Sequence, residues 1–269
     1  MENGTAIILA GGDGTRLRAA AVIPSAHTFF SVTRRHAPYY GPALSGVPRH
    51  NVIVQPDNRG TAAAILYAVV RVETATASLA TAILPADHYV SDDAVFMAHV
   101  AAMALVTGRP DLIVLLGIGP DRPETDFGWI EPAEPLSKAL RYPVHRVRRF
   151  WEKPDVELAH DLVARGCFWN SFGIVANPTR LRRVISSAVP GLARAFAPLV
   201  ARMGTPWEMV AAQDAYAGIG TIDFSRHVVE PNPDTLAVMP VGGLQWNDLG
   251  NPSPLRSTRV SVESQLVTA

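Results

Sequence analysis

The feature that most constrains this chain is near its start. The apolar run Thr5-Ala-Ile-Ile-Leu-Ala10 is the length of one strand and feeds directly into Gly11-Gly-Asp-Gly-Thr-Arg-Leu-Arg18. A buried strand opening into a loop with glycine at positions 11, 12 and 14 fits the beginning of an α/β unit with a ligand at the strand's carboxyl end, and equally an ordinary strand closed by a tight glycine turn. Glycines let backbone N–H groups approach phosphate oxygens, and Arg16 adds a planar, permanently charged fork. The spacing excludes two common phosphate loops. Leu17 stands where the third glycine of a dinucleotide fingerprint would fall, and the Gly-Lys-Ser/Thr ending of a P-loop is missing.

Downstream, strand and helix signals alternate. Residues 28–33, 51–54, 81–84 and 112–117 read as buried strands, and 61–72 and 94–106 as helices, the latter capped by Asp92 or Asp93. Residues 126–131, 144–152, 172–176 and 235–239 read as further strands, and 154–165, 180–187 and 207–216 as further helices. Alternation of this kind predicts an α/β fold with a Rossmann-like, mostly parallel central sheet flanked by helices. The loops after Ala10, Val54, Leu84 and Gly117 then share one rim. Residues 1–257 are expected to form a single domain and 258–269 a loose tail.

Composition narrows the function classes. Twenty-four basic and twenty-four acidic residues give no net charge in 269 residues, so neither nucleic acid nor an anionic membrane is an expected partner. The lone Cys167 cannot form an intramolecular disulfide or a cysteine-rich zinc site. No apolar run reaches bilayer length, and the expected location is the cytoplasm.

Several short stretches carry chemistry. Asp87, in Leu84-Pro-Ala-Asp-His-Tyr-Val90, follows a buried strand on the ligand rim. Asp248, in Trp246-Asn-Asp-Leu-Gly250, is a second carboxylate from a distant part of the chain. Two such carboxylates suit a hard cation that also binds substrate phosphates, although each is also an ordinary turn residue. In Arg149-Phe-Trp-Glu-Lys-Pro154, Glu152 and Lys153 have opposite charges and, on a strand, alternate directions. Asn170 has donors and an acceptor for vicinal hydroxyls, and Gly128 permits close backbone approach. Residues 54–62 form a polar loop opening a helix at Thr61, a place that favours anions or a polar base edge.

Taken together and in order, these pieces resemble the sugar nucleotidyltransferases, and within them the mannose-1-phosphate guanylyltransferases. The matching stretches are Leu9-Ala-Gly-Gly-Asp-Gly-Thr-Arg-Leu17, Gln55-Pro-Asp-Asn-Arg-Gly-Thr61, Pro85-Ala-Asp-His88, Asp126-Phe-Gly-Trp-Ile130, Phe150-Trp-Glu-Lys-Pro154, Trp169-Asn-Ser171 and Trp246-Asn-Asp-Leu-Gly250. Residues 55–61 are similar to a Glu-Pro-x-x-Arg-Asn-Thr pattern of the guanylyl branch, and Thr221-Ile-Asp-Phe224 to its Ser-Ile-Asp-Tyr segment. The resemblance implies in-line transfer of a nucleotidyl group from GTP to a hexose 1-phosphate, with Mg²⁺ and without a covalent intermediate.

It further implies that Gly11, Gly12, Gly14, Thr15 and Arg16 hold the triphosphate and that Asp87 and Asp248 hold Mg²⁺. Lys153 would meet the sugar phosphate, while Glu152, Asn170 and Gly128 would meet the hexose, and Gln55, Arg59 and Thr61 would lie near the base. On this reading the catalytic set is Arg16, Asp87, Lys153 and Asp248. The resemblance breaks after Arg18, where the family continues into a Pro-Lys-Gln-Phe segment and a helix, and this chain runs Ala19-Ala-Ala-Val-Ile-Pro24. Either a segment has been omitted there, or the protein lacks the lysine and binds nucleotide sugars without making them. Another base or sugar, and a homodimer, stay open.

Overall fold

A computed structural model of the chain describes residues 4–10, 23–107, 112–136 and 142–248. The glycine loop with Arg16 and the C-terminal residues from 249 lie outside these. Eleven strands are described: β1 (Gly4–Ala10), β2 (Thr28–Thr33), β3 (Val52–Gln55), β4 (Ala80–Pro85), β5 (His88–Val90), β6 (Ile113–Ile118), β7 (Gly128–Pro135), β8 (His145–Glu152), β9 (Phe168–Ala176), β10 (Leu236–Val241) and β11 (Trp246–Asp248). The helices are α1 (Ala37–Ala43), α2 (Thr61–Ala75), α3 (Asp93–Val106), α4 (Val156–Ala164), α5 (Pro178–Ala188), α6 (Pro190–Arg202) and α7 (Glu208–Ala217).

Nine strands form one sheet in the order β3-β2-β1-β4-β9-β6-β10-β8-β7. The first four are parallel, as the N-terminal alternation predicts. The expectation of a mostly parallel sheet fails beyond them. β9 runs antiparallel to both β4 and β6, β8 is antiparallel to β10 and β7, and only β10 and β6 restore a parallel pair. β7 also bonds β9, so β9, β6, β10, β8 and β7 close on themselves as a small mixed barrel. The physical reason is local. Only residues 136–144 separate β7 from β8, fewer than a parallel crossover needs, and strands joined so closely pair antiparallel.

Strand alternation builds two cores, one on each face of the sheet. Ile7, Phe29, Ile53, Ile83 and Leu115 face the layer of α2, α5, α6 and α7. Their neighbours Ile8, Phe30, Val32, Leu84 and Leu116 face the layer that contains α3 and α4. α2 is buried at nearly every position from Ala62 to Val72 because the sheet and neighbouring helices enclose it, which explains its uniform apolar composition. Side-chain caps set three helix starts: Asp92 accepts from Val95 N, Asp155 from Leu158 N and Asn177 from Arg180 N. No helix among the described residues is long and apolar enough to cross a membrane.

Candidate active site

The carboxyl ends of β1 to β4 open onto a cleft of about 490 Å³. Its wall includes Ala10, Thr33, Gln55 and Pro85, the last described residue or an end residue of each parallel strand. The loop after β6 reaches it only at its far end, where Asp126 and Phe127 line the cleft. Gly119, Asp121 and Arg122 border a neighbouring hollow instead.

Asp87 and Asp248 both line the cleft, and the fold explains how residues so far apart meet. Two stretches that read as loops in the sequence are short strands, β5 and β11, paired antiparallel with Asp248 opposite His88. The His88 ring stands edge-on to Trp246, 5.0 Å between centroids, and its Nε2 lies 3.9 Å from Asp87 Oδ1. Burial holds the His88 pKa below its usual value, against the opposite pull of Asp248 and Asp87 and a hydrogen bond with the Ser171 backbone. Histidine here is the packed neighbour of two carboxylates. Among the described residues no group of three or more His, Cys, Asp or Glu is placed to hold a metal ion.

Glu152 and Lys153 face the same cleft, which corrects the expectation of alternate directions. The strand ends at Glu152, and Lys153 takes a left-handed φ of 53°, so the chain turns rather than alternates. That conformation strains a non-glycine residue. Burial, then the charges of Asp223 and Glu230, push the Glu152 carboxyl up to about 7, with Lys153 and Arg226 opposing. Glu230 also accepts a hydrogen bond from the Glu152 backbone N–H at 3.2 Å. Gly128 lines the cleft as expected, and its lack of a side chain has a second use. A Cβ there would come within 2.7 Å of Phe150 Cζ and 3.0 Å of Glu152 Oε2.

Asn170 lies in the wall with its Oδ1 accepting from Phe172 N at 3.1 Å, which fixes the amide's orientation. Gln55 and Thr61 also line the cleft, and both are partly engaged in the fold. Gln55 Nε2 donates to Ser31 Oγ and its Oε1 accepts from the Tyr216 hydroxyl. Thr61 Oγ1 accepts from Phe224 N at 2.8 Å. Arg59 is not part of the lining. Its guanidinium pairs with Asp57 at 3.2 Å, and its carbonyl accepts from Ile222 N. Gly11, Gly12, Gly14, Thr15 and Arg16 lie outside the described residues.

Asp223, Phe172 and Asp126 also line the cleft and were not singled out in the sequence as site residues. Asp223 sits in a segment clamped to the start of α2: Ile222 N donates to Arg59 O, Ala62 N to Ile222 O and Phe224 N to Thr61 Oγ1. Nothing in local pattern announces that clamp, because its partners are some 160 residues apart in the chain.

The profile of the nucleotidyl transferase family matches residues 22–265. Among curated proteins, the chain is 28% identical to the xanthan biosynthesis protein XanB of Xanthomonas campestris pv. campestris (strain B100), over 78% of this chain and 44% of that one. It is likewise 28% identical to a mannose-1-phosphate guanylyltransferase of Escherichia coli, over 75% and 44%. The chain thus spans less than half the length of these relatives. Of solved structures, a mannose-1-phosphate geranyltransferase of Thermus thermophilus superposes with a TM-score of 0.76 at 26% identity, covering 93% of this chain and 77% of that one. A UDP-glucose pyrophosphorylase bound to UDP-glucose shares the fold at 12% identity and a TM-score of 0.55, covering 97% and 99%.

Proposed function

The chain belongs to the nucleotidyl transferase family, and on that premise we propose that it joins GTP and mannose 1-phosphate, giving GDP-mannose and pyrophosphate. One observation carries this reading. Asp87, Asp248, Lys153, Glu152, Asn170 and Gly128 come from five separate stretches and line one cleft at the carboxyl ends of the parallel strands. In the reaction, an oxygen of the sugar phosphate attacks the α-phosphorus. A new P–O bond forms, the bond to the bridging oxygen of the β-phosphate breaks, and pyrophosphate carries off that electron pair.

Such a displacement needs positioning and charge compensation rather than a covalent intermediate. Lys153 offsets the charge of the sugar phosphate, and its left-handed backbone aims it into the cleft beside Glu152. Glu152 and Asn170 accept from and donate to the hexose hydroxyls. Gln55 and Thr61 border the end of the cleft where the base lies.

Asp87 and Asp248 present hard oxygens on one wall, and two carboxylates fit Mg²⁺, which keeps most of its other positions for water and phosphate. When bound there, the cation neutralises phosphate charge that these carboxylates cannot. Asp87 and Asp248 would hold it, with the buried His88 packed beside them.

A second reading has one observation in its favour. Asp87, Asp126, Glu152, Asp223 and Asp248 line the cleft, and Lys153 is the one Lys or Arg among the described lining residues. A nucleotide-sugar binder that does not turn over would tolerate that balance. The deciding experiment is pyrophosphate release with Mg²⁺ across the four ribonucleoside triphosphates and a panel of sugar 1-phosphates. Release that needs both GTP and mannose 1-phosphate, and is lost in Asp87→Ala, supports the transferase. Binding of GDP-mannose with no release from any pair overturns it in favour of the binder.

A further inference from the structure

Among the described residues, only two other than glycine have a positive φ, Lys153 and Phe172, and both line the cleft. Lys153 is absorbed by the reaction. Phe172, at φ 56°, is not. A bulky aromatic in the left-handed region is a true outlier, because its Cβ crowds the following carbonyl and glycine takes the same conformation without strain.

The local structure shows how Phe172 is held there. β9 pairs Ile174 with Leu115 and then Asn170 with Gly117, so β9 uses two more residues than β6 over the same span. Ser171 Oγ donates to Leu116 O at 2.7 Å and accepts from Gly173 N at 3.1 Å, while Asn170 Oδ1 accepts from Phe172 N. These bonds pin the bulge on both sides of Phe172. The glycine of the segment is one place further on. Gly173 is needed for packing, since a Cβ there would stand 3.2 Å from Leu116 Cβ, and it does not take the positive φ. The phenyl ring emerges half-buried in the cleft wall, edge-on to Phe224 at 6.1 Å between centroids. Asn170 and Glu152 line the same cleft.

Strain kept at a ligand-facing position points to a use that glycine could not serve. We infer that Phe172 determines which hexose 1-phosphate the cleft accepts, an inference that rests on the transferase reading above. A pyranose has polar edges and C–H faces. The ring of Phe172 gives one C–H face an apolar wall while Asn170 and Glu152 reach the hydroxyls at the edge. An axial hydroxyl on that face loses its water against the phenyl ring and finds no partner there. Phe172 therefore discriminates between hexoses that differ at one axial hydroxyl.

The test uses Phe172→Gly and Phe172→Asn, two residues the left-handed region tolerates. Pyrophosphate release is measured with saturating GTP over glucose, mannose and galactose 1-phosphates. Thermal melts run in parallel. In both variants KM for the preferred sugar phosphate rises roughly tenfold and the preference over the other sugars shrinks by a similar factor. KM for GTP stays within about twofold, and the Phe172→Gly melt is no lower than that of the unaltered protein. Sugar KM and preference unchanged in both variants overturn the inference and leave the transferase reading intact. If the unaltered protein releases no pyrophosphate from any pair, the transferase reading itself fails. Calorimetric titration of the three hexose 1-phosphates then decides the role of Phe172, and equal affinities in variants and unaltered protein overturn it.

Discussion

Gly60 is the residue whose replacement by alanine tests most directly how the cleft is held together. It precedes α2 with φ 83° and ψ 172°, a region that only glycine occupies freely. A methyl group there would lie 2.3 Å from Ile222 O, a backbone atom that cannot swing aside. Relief requires the segment around Ile222 to move, and two hydrogen bonds go with it: Ile222 N to Arg59 O at 3.0 Å and Ala62 N to Ile222 O at 3.1 Å. The conformational cost is about 2 kcal/mol. The two bonds add roughly 1 kcal/mol each. Gly60→Ala should therefore lose on the order of 4 kcal/mol and melt roughly 10 °C lower.

Gly166→Ala is the internal control. Gly166 also has a positive φ, 72°, but nothing lies within 4 Å of its added Cβ. It should lose only about 1 kcal/mol, so the difference isolates the collision with Ile222. Chemical unfolding and calorimetric melting measure both. A Gly60→Ala variant no less stable than Gly166→Ala would refute the reasoning. Because Thr221, Asp223 and Ser225 line the cleft, the variant should also bind nucleotide sugar more weakly at temperatures where it remains folded.

Two other residues give sharp expectations. The Glu152 carboxyl rises in the fold from 4.5 to about 7, so its contribution to stability is fully present below 4.5 and lost as the pH climbs through about 7. At full value this is roughly 3 kcal/mol, and solvent reaching the half-buried group reduces it to roughly 1 kcal/mol. Glu152→Gln should match the unaltered protein near pH 4 and exceed it by about that amount at pH 8. Urea unfolding at the two pH values checks this, and a gap independent of pH counts against it. Buried Glu208 accepts from Tyr67 OH at 2.9 Å and from Gly204 N at 2.9 Å and pairs with Arg71. Glu208→Ala strands the Arg71 guanidinium and should cost roughly 3–5 kcal/mol, while the paired change Glu208→Met with Arg71→Met should recover much of it. Chemical denaturation of the single and double variants gives the answer.

Much of the N-terminal half could be read from its sequence because its strands are continuous apolar runs and the start of α3 carries a side-chain cap. β2, β4 and β6 and the Asp92 cap of α3 fall where the pattern puts them. The barrel could not be read this way. Alternation shows which residues face inward but not whether neighbouring strands run parallel, and the β7–β9 pairing joins residues 129 and 169. β5 and β11 have three residues each, too few for any period to emerge. α6 forms with Pro190 at its start and Pro198 inside it, a composition that argues against a helix until its buried Leu192, Phe196 and Leu199 are seen together.

The site shows the same division at the level of single atoms. Asp87, Asp248, Glu152 and Lys153 could be found in the sequence because each charge stands in a short motif at the end of a strand. What those motifs do not record is how much of a polar side chain the fold has already taken. Gln55 gives one amide hydrogen to Ser31 and one lone pair to Tyr216, Thr61 accepts from Phe224 N, and Asn170 accepts from Phe172 N. Each keeps only its remaining capacity for a ligand: one N–H and one lone pair on Gln55, the hydroxyl hydrogen and one lone pair on Thr61, the NH₂ group and one lone pair on Asn170. Base and sugar recognition thus depends on a smaller set of donors and acceptors than the residue types suggest, fixed in direction by bonds to residues far away in the chain. Phe172 is the extreme of this effect, since a phenylalanine in a strand pattern reads as core, and here it packs against the core and lines the cleft as well.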